Sequence, residues 1–205
     1  MPSYRGYRFP PDIISHAVWV YHRFSLSFRD VEDLLAERGI TVTYETIRQW
    51  CATFGLEYAR RLRSRRGRQG DTWHLDEVFV QLRRNRRAAI RFFRKLLKGQ
   101  GCVPRQLITD KLHSYPAACR AVMPSMVHCT DHYANNRAEV SHQPTRERER
   151  QMRRFKSAAH AQRFLAVHGP VQNLFRLGRH LLRVVHYRLL RARAFGIWDQ
   201  VTGAY

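Results

Sequence analysis

Beyond its first third, the sequence alternates between strand-type and helix-type segments, and this alternation constrains the fold most. Residues 72–82, TWHLDEVFVQL, are rich in β-branched and aromatic side chains and predict a strand. Residues 87–98 predict an amphipathic helix ended by Gly99, and residues 105–110 and 125–130 predict two more short strands. Strand–helix–strand alternation favours an α/β unit with parallel strands.

The first 66 residues predict helices. Pro10 and Pro11 precede one helix, Ser27 is a suitable N-cap for a second helix, and Gly39 is a suitable end for it. Thr43 is a suitable cap for a third helix. Its apolar residues recur at helical spacing: Ile47, Trp50, Cys51 and Phe54. Two short helices joined by a glycine-containing turn are typical of a helix-turn-helix, and an ordinary helical hairpin has the same pattern.

A helix-turn-helix would present the start of its third helix to the major groove of DNA, and Tyr44, Arg48 and Gln49 lie there. Arg61 and Arg65 belong to a run of six arginines in residues 60–68, which is either a phosphate-contacting arm or a solvated face. The chain carries 37 Lys and Arg against 16 Asp and Glu, a net charge of +21. This excess favours double-stranded DNA as a partner, although an arginine-biased genome would also raise it.

No apolar run reaches about 18 residues, so we expect no membrane-spanning helix. The first residues, MPSYRGYRFPPD, lack the apolar core of a signal peptide. The four cysteines form no Cys-x-x-Cys pair, which favours reduced thiols and no zinc ribbon. We therefore expect a cytoplasmic protein associated with the nucleoid.

Three carboxylates fall at or near the ends of predicted elements. Asp76 lies within an apolar strand, where an unpaired charge is costly. Asp110 ends the second predicted strand, at the edge where α/β sheets form ligand sites, and Glu139 begins the helix after the third strand. Each also has a structural interpretation, as a hydrogen-bonded acid, a helix N-cap and a partner of the helix dipole, respectively.

If the three carboxylates converge, they suit a site for two divalent metal ions. Mg²⁺ prefers oxygen ligands and keeps several waters, so a few carboxylates suffice to hold it. Two such ions stabilise the attacking and leaving oxygens of phosphoryl transfer. A strongly basic protein with this site would be able to bind DNA and to cut or join it.

The order of motifs resembles that of bacterial insertion-sequence transposases of the DDE type, in particular the IS six family. The segments that carry the resemblance are YRGYRFPPDIISHAVWVYHRFSLSFRDVEDLLAERGITVTYETIRQW, WHLDEVFV, RRAAIRFFRKLLKGQG, LITDKLHSY and NNRAEVSHQPTRERERQMRRFKS. Together they cover nearly the whole chain, and their order is specific.

The resemblance implies a function and a set of site residues. Asp76, Asp110 and Glu139 match the D, D and E that bind two Mg²⁺ ions, with Mn²⁺ as a substitute, in a ribonuclease-H-like fold. The N-terminal helix-turn-helix would bind the terminal inverted repeats of the element. Lys111 and Arg137, beside two of the acids, are candidates for phosphate contacts. Transposition joins two DNA ends, so the resemblance also implies a homo-oligomer.

The sequence departs from the family's pattern after its first acid. The family fold begins with three antiparallel strands before its first helix, whereas six residues, Gln81 to Arg86, separate Val80 from Arg87. Two more strands of about five residues each do not fit there. The simplest hypothesis is an internal deletion that leaves the first strand at the sheet edge and makes this copy degenerate or poorly active.

These inferences predict an α-rich α/β protein. Residues 1–66 are expected to form a helix-turn-helix domain, residues 67–71 a basic linker, and residues 72–205 a truncated ribonuclease-H-like domain with C-terminal helices. The expected function is that of a transposase, which binds terminal repeats and catalyses metal-dependent cleavage and strand transfer. The alternative is a catalytically dead, sequence-specific DNA-binding remnant.

The C-terminal helices are amphipathic. Their apolar residues are Phe164, Leu165, Leu174, Phe175, Leu181, Leu182, Val184 and Val185. We expect these residues to cap the core, and the alternative is that they form an interface between subunits.

Overall fold

The protein folds into two compact units, each built around its own apolar core. The computed structural model describes residues 2–65, 72–74, 86–109, 114–131, 143–177 and 182–204. The helical unit comprises Met1–Arg66 and Glu147–Tyr205, and the sheet unit comprises Gly67–Arg146.

The elements follow one another in the order expected of an α-rich α/β protein. The helices are α1 (Pro11–Arg23), α2 (Phe28–Ala36), α3 (Tyr44–Ser64), α4 (Arg86–Gln100), α5 (Ser114–Val122), α6 (residues 143–151), α7 (Ala158–Phe175) and α8 (Val184–Thr202). The strands are β1 (Thr72–His74), β2 (Gln106–Ile108) and β3 (Val127–Cys129).

The predicted ends of α2 and α3 are confirmed by their hydrogen bonds. The Ser27 hydroxyl accepts from the Asp30 amide at 3.1 Å, and the Asp30 carboxylate accepts from the Ser27 amide at 2.6 Å, which forms a capping box. Gly39 follows α2 at a φ of +74°, which a glycine adopts without steric cost. The Thr43 hydroxyl caps α3 by accepting from the Thr46 amide at 3.4 Å.

The core of the helical unit joins the two ends of the chain. The predicted face of α3 is buried, with Ile47 fully enclosed, and α7 packs directly against this helix. Gly55 permits the close approach, because a Cβ there would lie 3.2 Å from Cγ2 of Val167. Trp198 of α8 meets Tyr58 of α3 at a ring-centroid distance of 5.5 Å.

The structure divides the chain differently from the predicted domains. Residues 72–205 were expected to form one domain, whereas residues 147–205 fold with the N-terminal helices. The physical reason is apolar burial, since Phe164, Val171 and Phe175 complete the core around α1 and α3. Phe164 and Phe175 therefore cap a core, as expected, while Val184 and Val185 remain exposed.

The Gly169-Pro170 pair in the sequence predicts a break in the helix, and this prediction is wrong, because α7 continues through both residues. A proline inside a helix cannot donate to the carbonyl four residues earlier, which here belongs to Ala166. The guanidinium group of Arg63 on α3 donates a hydrogen bond to that carbonyl instead. The helical conformation is interrupted earlier, over residues 152–157.

Side chains from α6 and α7 cap the carboxyl end of α1, where helix carbonyls lack partners of their own. Nη2 of Arg148 donates to the Tyr21 carbonyl at 3.3 Å. Nε2 of Gln172 lies 3.1 Å from the carbonyl oxygen of His22 and 2.8 Å from that of Arg23. These contacts fasten both later helices to the end of the first one.

The sheet unit confirms the three predicted parallel strands within the described residues. Their order is β1-β2-β3, and both pairs run parallel. α4 and α5 make the two crossovers. Phe93 of α4 is buried together with Trp73 of β1 and Leu107 of β2. α4 continues through Gly99 to Gln100, so its predicted end at Gly99 is slightly early.

Candidate functional site

The start of α3 presents polar side chains to solvent, as the sequence predicts. Tyr44 is 41% exposed, and the guanidinium carbon of Arg29 lies 5.1 Å from the centroid of its ring. Arg48 and Gln49 follow on the same turn of helix and are also exposed. The three predicted groups therefore lie together on an open surface that carries an additional arginine from α2.

Arg48 is held by the adjacent acid. Its Nε and Nη2 donate to the two carboxylate oxygens of Glu45 at 2.8 and 2.6 Å, and Nε2 of Gln49 reaches the same carboxylate at 3.5 Å. The hydrogen bonds from Arg48 lower the pKa of Glu45. Because this ion pair is exposed, little free energy is lost when Arg48 exchanges the Glu45 carboxylate for a phosphate group.

The later arginines of α3 contact the chain's own helices. Arg61 pairs with Glu57 at 2.9 Å and donates to the Val201 carbonyl at 3.4 Å, with 21% of its side chain exposed. Nη1 of Arg65 donates to the Gln200 side chain at 2.6 Å. Both predicted phosphate-contacting residues therefore hold α8 against α3 in this structure.

The parallel register links the sequence positions of two predicted metal ligands. His74 of β1 and Ile108 of β2 are register partners. Asp76 and Asp110 each follow their strand's paired residue by two positions. Both acids lie outside the described residues, and so do Glu139, Lys111 and Arg137.

The carboxyl end of β2 is fixed to β3 by hydrogen bonds immediately before Asp110. The amide of Thr109 donates to the Cys129 carbonyl at 3.1 Å, and the Thr109 hydroxyl shares a 2.8 Å hydrogen bond with Nε2 of His128. Burial lowers the pKa of His128, so the imidazole is neutral at pH 7. Thr109, itself buried, gives the residue that follows it a rigid point of attachment.

Within the described ranges, no three His, Cys, Asp or Glu side chains gather closely enough to hold a metal ion. The three predicted ligands lie beyond those ranges. None of the helices among the described residues is both long and apolar enough to cross a membrane.

Sequence reasoning missed three residues that the structure brings into use. Arg29 stacks on Tyr44, His128 pairs with Thr109, and Arg148 is buried beside Tyr21. Arg148 lies in the stretch TRERERQMRR, which has the composition of a solvated helix face. Its sequence neighbours have the same composition, and the Tyr21 carbonyl to which it donates is 127 residues away in α1.

Residues 71–177 match a family model described as the DDE domain, of the IS240 transposase type. The chain is 26% identical over 171 positions to the transposase for insertion sequence-like element IS431mec of Staphylococcus aureus, covering 69% of this chain and 76% of the relative. It is 25% identical, over the same shares, to the transposase for insertion sequence element IS257 in transposon Tn4003 of the same species. No solved structure matches the chain.

The alignment with the first relative is longer than the part of this chain that it covers. The alignment has 171 positions, whereas 69% of the 205-residue chain is about 141 residues. About 30 aligned positions of the relative therefore have no counterpart in this chain.

Proposed function

The chain belongs to the DDE transposases of insertion sequences, and from this premise we propose that it binds the terminal inverted repeats of its element and catalyses metal-dependent DNA cleavage and strand transfer. One observation carries the catalytic part of the proposal. β1 and β2 are parallel neighbours whose register gives Asp76 and Asp110 equivalent positions beyond the paired residues.

The residues fit the metal that the family implies. Asp76, Asp110 and Glu139 supply carboxylate oxygens, the donor type that Mg²⁺ and Mn²⁺ prefer. The ends of parallel strands lie at one edge of a sheet, so acids following β1 and β2 are suited to share a site there. When bound, two Mg²⁺ ions would stabilise the attacking and leaving oxygens of phosphoryl transfer.

The chain's own residues hold the reacting groups in this proposal. Asp76 and Asp110 would anchor the site to the sheet, and the Thr109–His128 hydrogen bond fixes the strand end that precedes Asp110 in sequence. Glu139 completes the ligand set. Lys111 and Arg137 contact the phosphates beside the scissile bond and offset their charge.

DNA recognition is assigned to α2 and α3 acting as a helix-turn-helix. The capping box of α2, the Thr43 cap of α3 and the Gly39 turn make the pair a defined geometric unit, and the exposed start of α3 suits the major groove. Arg48 would exchange Glu45 for DNA, and the Arg29–Tyr44 stack would contact the backbone. The net charge of +21 adds sequence-independent attraction to phosphates.

A specific observation favours a second candidate function, a DNA-binding remnant without catalysis. About 30 positions of the relative have no counterpart here, which supports an internal deletion. The short interval between Val80 and Arg87 is a suitable place for that deletion. A sheet that has lost two strands would leave β1 with an unpaired edge and less apolar cover, which weakens the platform for the acids.

A cleavage assay with a binding control separates the two functions. Full-length protein is incubated with end-labelled DNA carrying the element's terminus and either Mg²⁺ or Mn²⁺. A nick at the element boundary that is absent with Asp76→Asn supports catalysis by the proposed site. A gel shift without any nick supports the remnant, and a nick that survives Asp76→Asn contradicts the assigned ligands.

Recognition is tested on the same DNA with matched variants. Arg48→Ala is expected to weaken binding of the terminal repeat about tenfold or more, as loss of a base contact does. Arg94→Ala removes an exposed arginine from α4 and serves as the control for charge. Equal losses for both variants would contradict a specific role for the start of α3.

A further inference from the structure

α8 carries two apolar stripes, one in its carboxyl half that faces the core and one that begins in its amino half and faces solvent. Ala194, Trp198 and Val201 form the stripe that enters the core of the helical unit. Val185 is 74% exposed and Leu189 is 68% exposed. At about 100° per residue, these two lie about 140–180° away from Ala194 around the helix.

Small residues extend this outward stripe. Ala192 and Gly196 continue it at helical spacing and are exposed, and a Cβ added at Gly196 would meet no atom within 4 Å. The stripe is therefore open enough for another helix to approach its backbone. An exposed apolar stripe of this kind marks a site of protein contact.

Arginines surround the outward stripe. Residues 183–193, RVVHYRLLRAR, contain four arginines and no acid. Arg188 and Arg193 lie next to Leu189 around the helix. Two copies of this segment packed against each other would bring like charges together, so the complementary surface must be acidic.

The helical unit contains such an acidic surface. Residues 30–37 of α2 and its end hold four of the chain's 16 acids and no basic residue. Asp33 and Glu37 are exposed. In a protein that carries +21, this surface repels phosphates and is left available for protein contact.

An apolar cleft opens beside the acidic surface, between α1 and α2. Its volume is about 200 Å³, which accommodates one or two aliphatic side chains. Val31 and Leu35 are buried in its wall, while Phe24 and Leu34 are 45% and 40% exposed. At the cleft, Arg38 pairs with Glu37 at 2.9 Å, so these two charges offset each other, and burial lowers the pKa of His16.

We propose that the α1–α2 cleft with its acidic rim receives the amino half of α8 from a second copy of this chain. Val185 and Leu189 of one protomer enter the cleft, and the adjacent Arg188 and Arg193 face the acids of α2. The contact combines apolar burial with charge complementarity, which fixes its register. It goes beyond the proposed function and does not depend on whether the protein cuts DNA.

Charge reversal tests the contact by sedimentation equilibrium of the full chain without DNA. Wild-type protein is expected to self-associate with increasing concentration. Glu32→Arg with Asp33→Arg, or Arg188→Glu with Arg193→Glu, should raise the dissociation constant about tenfold or more. One chain carrying all four substitutions should recover association, because the charges are again opposite.

The control is Arg91→Glu with Arg94→Glu, which makes on α4 the same charge change that the reversal of Arg188 and Arg193 makes on α8. A chain that stays monomeric at every concentration would overturn the proposal. Association that the α2 and α8 reversals leave unchanged, or that the α4 control reduces equally, would also overturn it.

A crosslink between two different variants gives an independent readout. Leu34→Cys protein is mixed with Val185→Cys protein under mild oxidation, and a covalent dimer that needs both cysteines supports the proposal. Cys102 and Cys129 are partly exposed, so wild-type protein is the baseline. The same dimer yield from wild-type protein would count against the contact.

Discussion

The guanidinium group of Arg148 lies 4.5 Å from the ring centroid of Tyr21 and donates a hydrogen bond to the carbonyl of the same residue. Phe164 lies on its other side, with its centroid 5.6 Å away. Within the described part of the chain, this buried charge faces rings and carbonyl oxygens instead of a carboxylate. It ties α6 to α1 at the centre of the helical unit.

Truncating Arg148 should destabilise the helical unit. Arg148→Ala loses the cation–π contacts and leaves a cavity, so we expect a loss of about 2–4 kcal/mol in the free energy of unfolding. Arg148→Met should cost less, because it fills the space without a buried charge. Urea unfolding measures both, and Arg150→Ala on the exposed side of α6 is the matched control. Equal stability of Arg148→Ala and the control would contradict this role.

The bond from Arg63 to the Ala166 carbonyl should matter only while Pro170 is present. Arg63→Ala leaves that carbonyl without its donor and should cost about 1 kcal/mol of unfolding free energy. In the Pro170→Ala background the helix regains its own N–H donor, so the same substitution should cost almost nothing. A double-mutant cycle in urea measures this coupling. Additive effects of the two substitutions would show that the guanidinium contact does not replace the missing amide.

The helical unit should lose stability in mild acid. Burial lowers the pKa of His168 to about 4 and the pKa of His22 well below its usual value. The unfolded chain therefore binds more protons than the folded chain between pH 6.5 and about 4. Stability is fully present above pH 6.5 and falls as pH drops through this window, by up to about 3 kcal/mol for His168.

Melting curves against pH check this effect. His168→Gln keeps a donor for the His22 carbonyl and removes the titrating ring, so its melting temperature should depend less on pH. His186→Gln changes an exposed histidine of α8 and should leave the dependence unaltered. A pH dependence that persists unchanged in His168→Gln would assign the effect to other groups.

The sheet unit should melt before the helical unit. Its core is small and centres on Trp73, Phe93 and Leu107, whereas the helical unit buries aromatic side chains from four helices. Less apolar burial gives less stabilisation, so calorimetry should show two transitions. Phe93→Ala should lower only the first transition, and Phe175→Ala only the second. One cooperative transition that both variants shift would contradict independent units, and it would count strongly against a sheet weakened by deletion.

Local features of this chain were predictable because their causes are local. Ser27, Gly39 and Thr43 mark helix ends through hydrogen bonds and backbone angles within a few residues. Strands β2 and β3 follow from short apolar runs between turn residues. The parallel order follows from the intervening helices, which are long enough to cross from one strand to the next.

Other features depend on partners that are distant in sequence. α7 continues through Pro170, and the guanidinium group of Arg63 donates to the carbonyl that the proline leaves without a partner. The sequence near residue 170 does not predict this hydrogen bond, because Arg63 is distant in sequence. Residues 147–205 join the N-terminal helices because their apolar faces match, which a single amphipathic pattern does not specify. For the candidate site, the sequence motif supplies Asp76, Asp110 and Glu139, while the structure contributes the strand register and the Thr109–His128 bond.

The core of the helical unit is built from two segments that are far apart in sequence, and this has a consequence for the newly made chain. Residues 1–66 leave the ribosome before the rest of the helical unit, and Val167, Val171 and Trp198, which cover α1 and α3, are synthesised more than 100 residues later. The early segment therefore exposes its apolar faces through most of translation, and the loop closure that buries them is a late, non-local step. A nascent chain or a premature stop product would be a substrate for chaperones and proteases. Only molecules that include residues 147–205 would acquire a stable surface at the start of α3.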